Sequence, residues 1–286
     1  MKITYRISEL VPYINWVYYF FAWQVKDEAE KQRMQREALS KLEELDAKYH
    51  VYGVFELFDA CSDNEDILIY RSMMCQECGV KHPVRVGRIP CLRQQQGKPP
   101  YLCLADFIRP LNISHSTLHL PPSTNYTSKL GLFATSVDIG LETDFDNDVY
   151  QKMMVQLLAD RLAEAAAERL HEQVRKEFWG YAKDENLSIA DMLIERFQGI
   201  RPAVGYPSLP DTSLNFILDD ILDMKQIGIR LTESGAMKPH ASVSGMMISN
   251  PKAKYFSIGK IGEDQLQDYA HRRGLPVEVI RKFVNL

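Results

Sequence analysis

Cysteine is scarce in this sequence, which has 5 cysteines among 286 residues. A low and odd count argues against a disulfide framework and is typical of a reducing compartment. Long apolar runs are also missing, because no stretch approaches the roughly 20 residues that cross a bilayer. The aromatic run at residues 16–23 has no small-residue cleavage site after it. We therefore predict a cytoplasmic protein with no membrane partner.

An excess of one charge is absent as well. The chain carries 34 Lys and Arg against 38 Asp and Glu, for a formal net charge of −4. This balance gives no electrostatic reason to expect a nucleic acid as the partner. The hydrophobic content of 45% and charged content of 25% are those of an ordinary globular protein. With no internal repeat and no linker-like stretch, we predict a single domain over residues 1–286.

The glycine motifs of the commonest enzymes are missing too. No Gly-x-Gly occurs, which excludes the dinucleotide-binding fingerprint. Neither Gly97 nor Gly259, the two glycines followed by lysine, has a glycine five residues earlier, so there is no P-loop. The segment at residues 240–244 lacks the leading glycine of a nucleophile elbow. No catalytic side chain is predicted from these motifs.

Hydrophobic periodicity predicts an α+β domain with a twisted, mostly antiparallel sheet and long packing helices. The longest helix is predicted at residues 145–181, with a wide apolar stripe that includes Tyr150 and Met153. Further helices are predicted at residues 13–23, 27–49, 188–196, 213–226, 262–273 and 276–284. Strands are predicted at residues 51–57, 66–71, 84–88, 130–137, 228–233, 241–248 and 255–260, the first two as a hairpin.

One metal-like pattern deserves a structural check. Cys75-x-x-Cys78 has His82 and Cys91 downstream, which is enough for a tetrahedral zinc site in principle. Structural zinc sites usually contain two tightly spaced ligand pairs, and the second half of this pattern is irregular. The sequence therefore favours two thiols at the end of a hairpin, and no metal ligand is assigned.

Two other histidine patterns lead to the same conclusion. His115 and His119 have the spacing of one helix face but precede two prolines, which favours a surface loop. Asp268, His271 and Gly274 approach the Asp-x-His-x-x-Gly signature of cobalamin domains. One residue too many separates the aspartate from the histidine, and the segment has a helical pattern, so we reject a cobalamin site there.

Four ordered segments are more specific. They read ADRLAEA at residues 159–165, GIRPAVGYP at 199–207, LTESGAM at 231–237 and NP-x-x-x-YF at 250–256. In this order and spacing they resemble the activation domain of cobalamin-dependent methionine synthase. The resemblance extends upstream to residues 92–95 and 102–107 and covers nearly the whole chain.

That resemblance implies a function. Members of the family bind S-adenosylmethionine and present its methyl group to an inactive cobalamin held by a separate module, with one electron from flavodoxin or a reductase. The chain would then be part of a methyltransferase system rather than a complete enzyme. The family's other modules leave no trace in these 286 residues. The resemblance therefore implies a free-standing activation domain that meets the cobalamin-binding module of methionine synthase in trans.

The resemblance also marks candidate ligand-binding residues, whose chemistry suits S-adenosylmethionine. A guanidinium such as that of Arg201 can hold a carboxylate through two hydrogen bonds. Aromatic rings attract a sulfonium, although each tyrosine could instead belong to the core. A carboxylate on the apolar face of the long helix needs a positive partner, from Arg161, from Arg201 or from the ligand. The candidate residues are Glu164, Arg201, Ala203, Tyr206, Tyr255 and Phe256.

Two departures from the family keep alternatives open. Trp23 runs almost directly into the next helix, so the family's aspartate-containing loop is deleted, and Asp27 is a doubtful replacement. Asp211 and its neighbours stand where the family usually has a histidine. One alternative is a docking module that no longer binds the ligand. The other is a methylating partner of a different corrinoid protein.

Overall fold

The computed structural model describes residues 1–75, 78–111 and 128–284. Its strands are β1 (Lys2–Arg6), β2 (His50–Asp63), β3 (Asp66–Met74), β4 (Lys81–Pro90), β5 (Ser128–Val137), β6 (Arg230–Leu231), β7 (Met237–Lys238) and β8 (Ser242–Met247). Its α-helices are α1 (Ile7–Leu10), α2 (Trp16–Ala22), α3 (Glu28–Asp46), α4 (Gly140–Thr143), α5 (Val149–Gln173), α6 (Ile189–Leu193), α7 (Leu214–Leu222), α8 (Glu263–Arg273) and α9 (Val277–Phe283).

The main sheet has the strand order β4-β3-β2-β5-β8, and β1 also pairs with β2. The pairs β1–β2, β2–β3 and β3–β4 are antiparallel. The predicted hairpin is confirmed, with Asp63 opposite Asp66 at its turn and Asp59 opposite Tyr70. Strands β6 and β7 form a separate antiparallel pair. The predicted α+β class with a mostly antiparallel sheet is therefore confirmed.

The chain divides into two compact units. The first comprises Met1–Phe55, Phe133–Phe197 and Leu222–Ser244, and the second comprises Glu56–Leu132, Gln198–Ile221 and Gly245–Leu286. Strands β2, β5 and β8 each begin in one unit and end in the other. The prediction that residues 1–286 fold as a single domain remains a prediction.

Helix α5 forms the core of the first unit. Asp148 caps its start by accepting a hydrogen bond from the Gln151 backbone amide at 3.0 Å. Its buried face meets β5, where the Thr135 hydroxyl donates to the Ala163 carbonyl at 3.0 Å. A π-helical segment, Val174–Phe178, follows the helix. The predicted helix at residues 145–181 is thus confirmed, although α5 begins later, at Val149, and ends earlier, at Gln173.

The N-terminal residues differ most from the prediction. An aromatic helix was expected at residues 13–23, and α2 confirms it, but β1 precedes it and pairs with residues 50–54 across a large sequence separation. The aromatic run is only partly buried, because Tyr19 is enclosed while Phe21 is 80% exposed. Tyr150 and Met153 of the predicted α5 stripe are also exposed. A local apolar pattern does not reveal which side of a short helix meets the core.

The second unit has a core between the C-terminal helices. Tyr269 on α8 is buried and donates its hydroxyl hydrogen bond to Asp211 at 2.7 Å. The predicted strand at residues 255–260 is wrong, since this stretch has no regular secondary structure and pairs in no sheet. Ile258 and Phe256 pack instead into the cluster around α8 and α9, so burial explains their apolar character without strand pairing. Within the described residues, none of the helices combines the length and apolar character needed to span a membrane.

Candidate functional site

The loop at residues 199–210 lies in the second unit and carries three of the six predicted ligand-binding residues. Its first half pairs with residues 245–248, which form the end of β8 and the residue after it. Ile200 and Ile248 exchange two backbone hydrogen bonds of 2.9 Å, and the Met246 amide donates to the Pro202 carbonyl at 3.1 Å. Ala203 is bridged to Gly245. Backbone pairing on both sides of Arg201 therefore fixes where this residue leaves the loop.

Arg201 and Tyr255 are brought together by a direct contact. The Arg201 backbone amide donates a hydrogen bond to the Tyr255 hydroxyl oxygen at 2.8 Å, across 54 residues of sequence. Both residues are half-buried. The hydrogen bond fixes the backbone of Arg201, and the Nε atom of its guanidinium is enclosed by the protein. Such an arrangement suits recognition of a carboxylate, for which Arg has the matching fork of donors.

The second half of the loop turns tightly around Gly205. Gly205 has a φ of +88°, in the left-handed region that favours glycine, and its amide donates to the Leu209 carbonyl at 2.8 Å. Tyr206 follows and is exposed, with its amide bonded to the Ala203 carbonyl at 3.3 Å. Ala203 itself is buried. The turn thus places an accessible aromatic ring three residues from a buried backbone position.

Phe256 lies in a segment that is hydrogen-bonded to this loop. The neighbouring Ile258 amide donates to the Pro207 carbonyl at 2.9 Å, which ties the two segments together. The ring of Phe256 is half-buried, packs against the α8–α9 core and lies 6.4 Å from the Phe107 ring centroid. These contacts give Phe256 a packing role, and its predicted contact with a ligand remains a prediction.

Glu164 belongs to the first unit, whereas the other five candidates belong to the second. It lies on α5 and is half-buried, as its position on the apolar face predicted. Of its possible partners, Arg161 places its guanidinium 5.6 Å from the Tyr18 ring centroid. The role of Glu164 as a ligand-binding residue remains a prediction.

A cavity of about 440 Å³ in the first unit brings together ionisable residues that the sequence analysis missed. His240 Nδ1 lies 3.6 Å from a carboxylate oxygen of Asp160, and Glu142 accepts hydrogen bonds from the backbone amides of His240 and Ala241. Burial raises the pKa of Asp160, and the nearby His240 opposes that shift. The wall also includes Met153, Gln156 and Leu157. Asp160 belongs to the segment at residues 159–165 that resembles the family. Its pairing with His240 could not be predicted from the sequence, because the two residues are 80 positions apart and meet only in the folded chain.

The possible metal ligands separate into two groups. The ligand atoms of Cys75, Cys78 and His82 all lie within 4.8 Å of one another. Cys91 is elsewhere: it is buried, and a hydrogen bond with the Cys103 thiol, together with burial, raises its pKa. The four-ligand pattern considered from sequence is therefore reduced to three residues. The His115–His119 pair lies outside the described residues.

Comparison with known proteins shows which family has this architecture. The antiparallel sheet, the long α5 and the loop paired to the end of β8 make up an α+β module. The family model described as vitamin B12 dependent methionine synthase, activation domain, matches residues 6–274, and the chain belongs to this family. A crystal structure of the MetH reactivation domain bound to AdoHcy is similar, with 36% identity and a TM-score of 0.83. The match covers 99% of this chain and 88% of that one, which confirms the resemblance recognised in the sequence.

Proposed function

We propose that this chain binds S-adenosylmethionine and supplies its methyl group for the reductive methylation of inactive cobalamin. The similar MetH reactivation domain was crystallised with AdoHcy, which is S-adenosylmethionine without the transferred methyl group. The observation that carries the proposal is the Arg201 loop, paired to the end of β8 and bonded at 2.8 Å to the Tyr255 hydroxyl. This loop offers the charge and the rigid backbone that such a ligand requires.

Each candidate residue has a role that matches one part of the ligand. Arg201 holds the carboxylate, and the backbone of Ala203 recognises the adenine edge, because a fixed peptide offers both a donor and an acceptor. The rings of Tyr206 and Tyr255 face the sulfonium, whose positive charge is attracted by a π-system. Phe256 contributes an apolar ring that packs against the α8–α9 core, and Glu164 on α5 is proposed to meet a positive group of the ligand.

The chemistry needs little from the protein beyond position. The partner's cobalamin, reduced by one electron, supplies the nucleophile that takes the methyl group, and S-adenosylhomocysteine leaves with the sulfur lone pair. Because the sulfonium is already a good leaving group, no side chain has to donate or accept a proton. Holding the methyl carbon in line with its acceptor is therefore the main contribution of this chain.

The proposal implies partners outside these 286 residues. The family match occupies residues 6–274, so the cobalamin must come from a separate cobalamin-binding module of methionine synthase. We propose that this module can be met in trans and that flavodoxin or a reductase supplies the electron. The family membership supports the first partner, and the chemistry of the reduction supports the second.

Reactivation of a methionine synthase that lacks its own activation domain tests this function. The enzyme is loaded with cob(II)alamin and mixed with this chain, S-adenosylmethionine and an electron donor, and methylcobalamin is followed by its absorption spectrum. Wild-type protein should restore methylcobalamin. Tyr255→Ala should slow the transfer at saturating ligand, because it removes both the ring and the hydroxyl that positions Arg201. Arg196→Ala, which changes an exposed arginine of the first unit, is the matched control.

A second candidate function is favoured by two aspartates. Asp27 caps α3 by accepting a hydrogen bond from the Glu30 amide at 2.9 Å, so it is engaged away from any ligand role. Asp211, where the family usually has a histidine, is buried against Tyr269. Both observations favour a docking module that has lost the ligand. Folded wild-type protein that binds no S-adenosylmethionine would support this docking module. If it binds S-adenosylmethionine but never restores methylcobalamin, service to another corrinoid protein becomes the better account.

A further inference from the structure

The end of the β3–β4 hairpin holds three soft metal ligands. The register of β2 with β3 covers Asp59–Asp63 against Asp66–Tyr70, whereas β4 stays paired with β3 as far as Met74 opposite Lys81. The hairpin therefore continues as a two-stranded ribbon beyond the β2–β3 register. A two-stranded ribbon is only marginally stable in water without an additional constraint.

The turn at the end of this ribbon is closed by two backbone hydrogen bonds. The Cys75 amide donates to the Val80 carbonyl at 2.9 Å, and the Gly79 amide donates to the Cys75 carbonyl at 3.0 Å. Gly79 has a φ of +67°, which a side chain would disfavour. This backbone brings the Cys75 and Cys78 thiols to the same end of the ribbon as His82, the second residue of β4.

We propose that Cys75, Cys78 and His82 bind a zinc ion. Their ligand atoms already lie within 4.8 Å of one another, and Cys78 Sγ is 3.1 Å from His82 Nε2. Around tetrahedral zinc, bonds of about 2.3 Å to sulfur and about 2.0 Å to nitrogen separate neighbouring ligands by roughly 3.5–3.8 Å. Side-chain movements of about 1 Å therefore convert the present arrangement into a zinc site.

The ligand chemistry selects the metal and its charge. Two thiolates and one imidazole suit zinc better than magnesium or calcium, which prefer oxygen. Binding displaces one proton from each thiol, so the bound ion and its two thiolates are together neutral. Because Cys78 is exposed, water occupies the fourth position. The ion joins both strands of the ribbon and stabilises its end without any redox step.

Metal analysis of the purified protein tests the site directly. Chain prepared with zinc and dialysed should retain about one zinc ion per molecule. Substitution by cobalt should give the strong visible absorption of a tetrahedral thiolate site. Cys78→Ser and His82→Asn should each lower the zinc content and weaken the cobalt spectrum. Met74→Ser, an exposed change one residue before Cys75, is the matched control and should retain the metal.

Four results would overturn the proposal. The first is wild-type protein that loses its zinc on dialysis, and the second is a cobalt spectrum typical of octahedral oxygen ligands. The third is zinc content that Cys78→Ser leaves unchanged. A Cys75–Cys78 disulfide in protein purified under reducing conditions, detected by mass spectrometry, would also contradict it. Titration of the same variants with S-adenosylmethionine keeps this outcome separate from that of the proposed function.

Discussion

Arg201 is the residue on which the proposed ligand binding depends most. Charged hydrogen bonds commonly contribute about 2–3 kcal/mol, so Arg201→Ala should raise the dissociation constant for S-adenosylmethionine by roughly 30- to 150-fold. Arg201→Lys should also bind more weakly, because an ammonium cannot reproduce the planar fork of donors. Isothermal titration calorimetry measures both constants. Equal affinity of Arg201→Ala and wild type would exclude a carboxylate contact by this residue.

Single residues also show where sequence reasoning stops. The importance of Arg201 and Tyr255 could be predicted because both lie in segments that resemble the family. The hydrogen bond between them could not, since it joins positions 54 residues apart through a hydroxyl that a core tyrosine would also carry. The same limit applies to Asp160 and His240, which meet only after α5 and the segment before β8 have folded.

Helix α5 and the π-helical segment after it are held by a buried ion pair. Arg175 has 0% side-chain exposure, binds Glu185 through two nitrogens at 2.7–3.1 Å and lies over the Phe197 ring. Glu185→Gln leaves a buried cation without its counter-charge and should lower the free energy of unfolding by about 3 kcal/mol. Chemical denaturation measures the change. The exposed Glu177→Gln is the control, and a similar small effect for both variants would contradict this role.

A carboxylate on α5, that of Glu172, makes stability depend on pH. Burial tends to raise the pKa of Glu172, but hydrogen bonds from Tyr13 at 2.5 Å and Arg169 at 2.8 Å outweigh it and hold the pKa below the ordinary value of 4.5. A depressed pKa stabilises the folded state above the ordinary value, and this contribution is lost as the pH falls below it. When the pH is lowered from 7 to below 4.5, the free energy of unfolding should therefore fall more for wild type than for Glu172→Gln. Parallel curves for the two proteins would refute this coupling.

At the scale of elements, helices and strands with a regular apolar periodicity could be predicted. A strand that is defined only by its pairing with a distant segment could not. Helix α3 confirms the helix predicted at residues 27–49, and its periodic apolar residues Met34, Ala38, Leu42 and Leu45 are all buried. Strand β1 was missed because its five residues contain one buried side chain and pair with residues 50–54. Residues 255–260 were mistaken for a strand because apolar residues that pack against helices carry the same composition as a buried strand.

The whole molecule is expected to unfold in one step, although its residues divide into two compact units. Strands β2, β5 and β8 each supply residues to both units, so neither unit is built from complete strands alone. Differential scanning calorimetry should show a single transition whose calorimetric and van't Hoff enthalpies agree. Two separate transitions would mean that the units fold independently and that the single-domain prediction is wrong.

Calorimetric titration of the purified wild-type chain with S-adenosylmethionine is the most direct test of the proposed function. Binding of one ligand per chain, weakened by Arg201→Ala and unchanged by Arg196→Ala, is the predicted result. S-adenosylhomocysteine should bind to the same site and compete, since it shares the carboxylate and adenosine groups that Arg201 and Ala203 recognise. Absence of saturable heat with either compound, in protein shown to be folded, would contradict the account and leave the docking module as the better explanation.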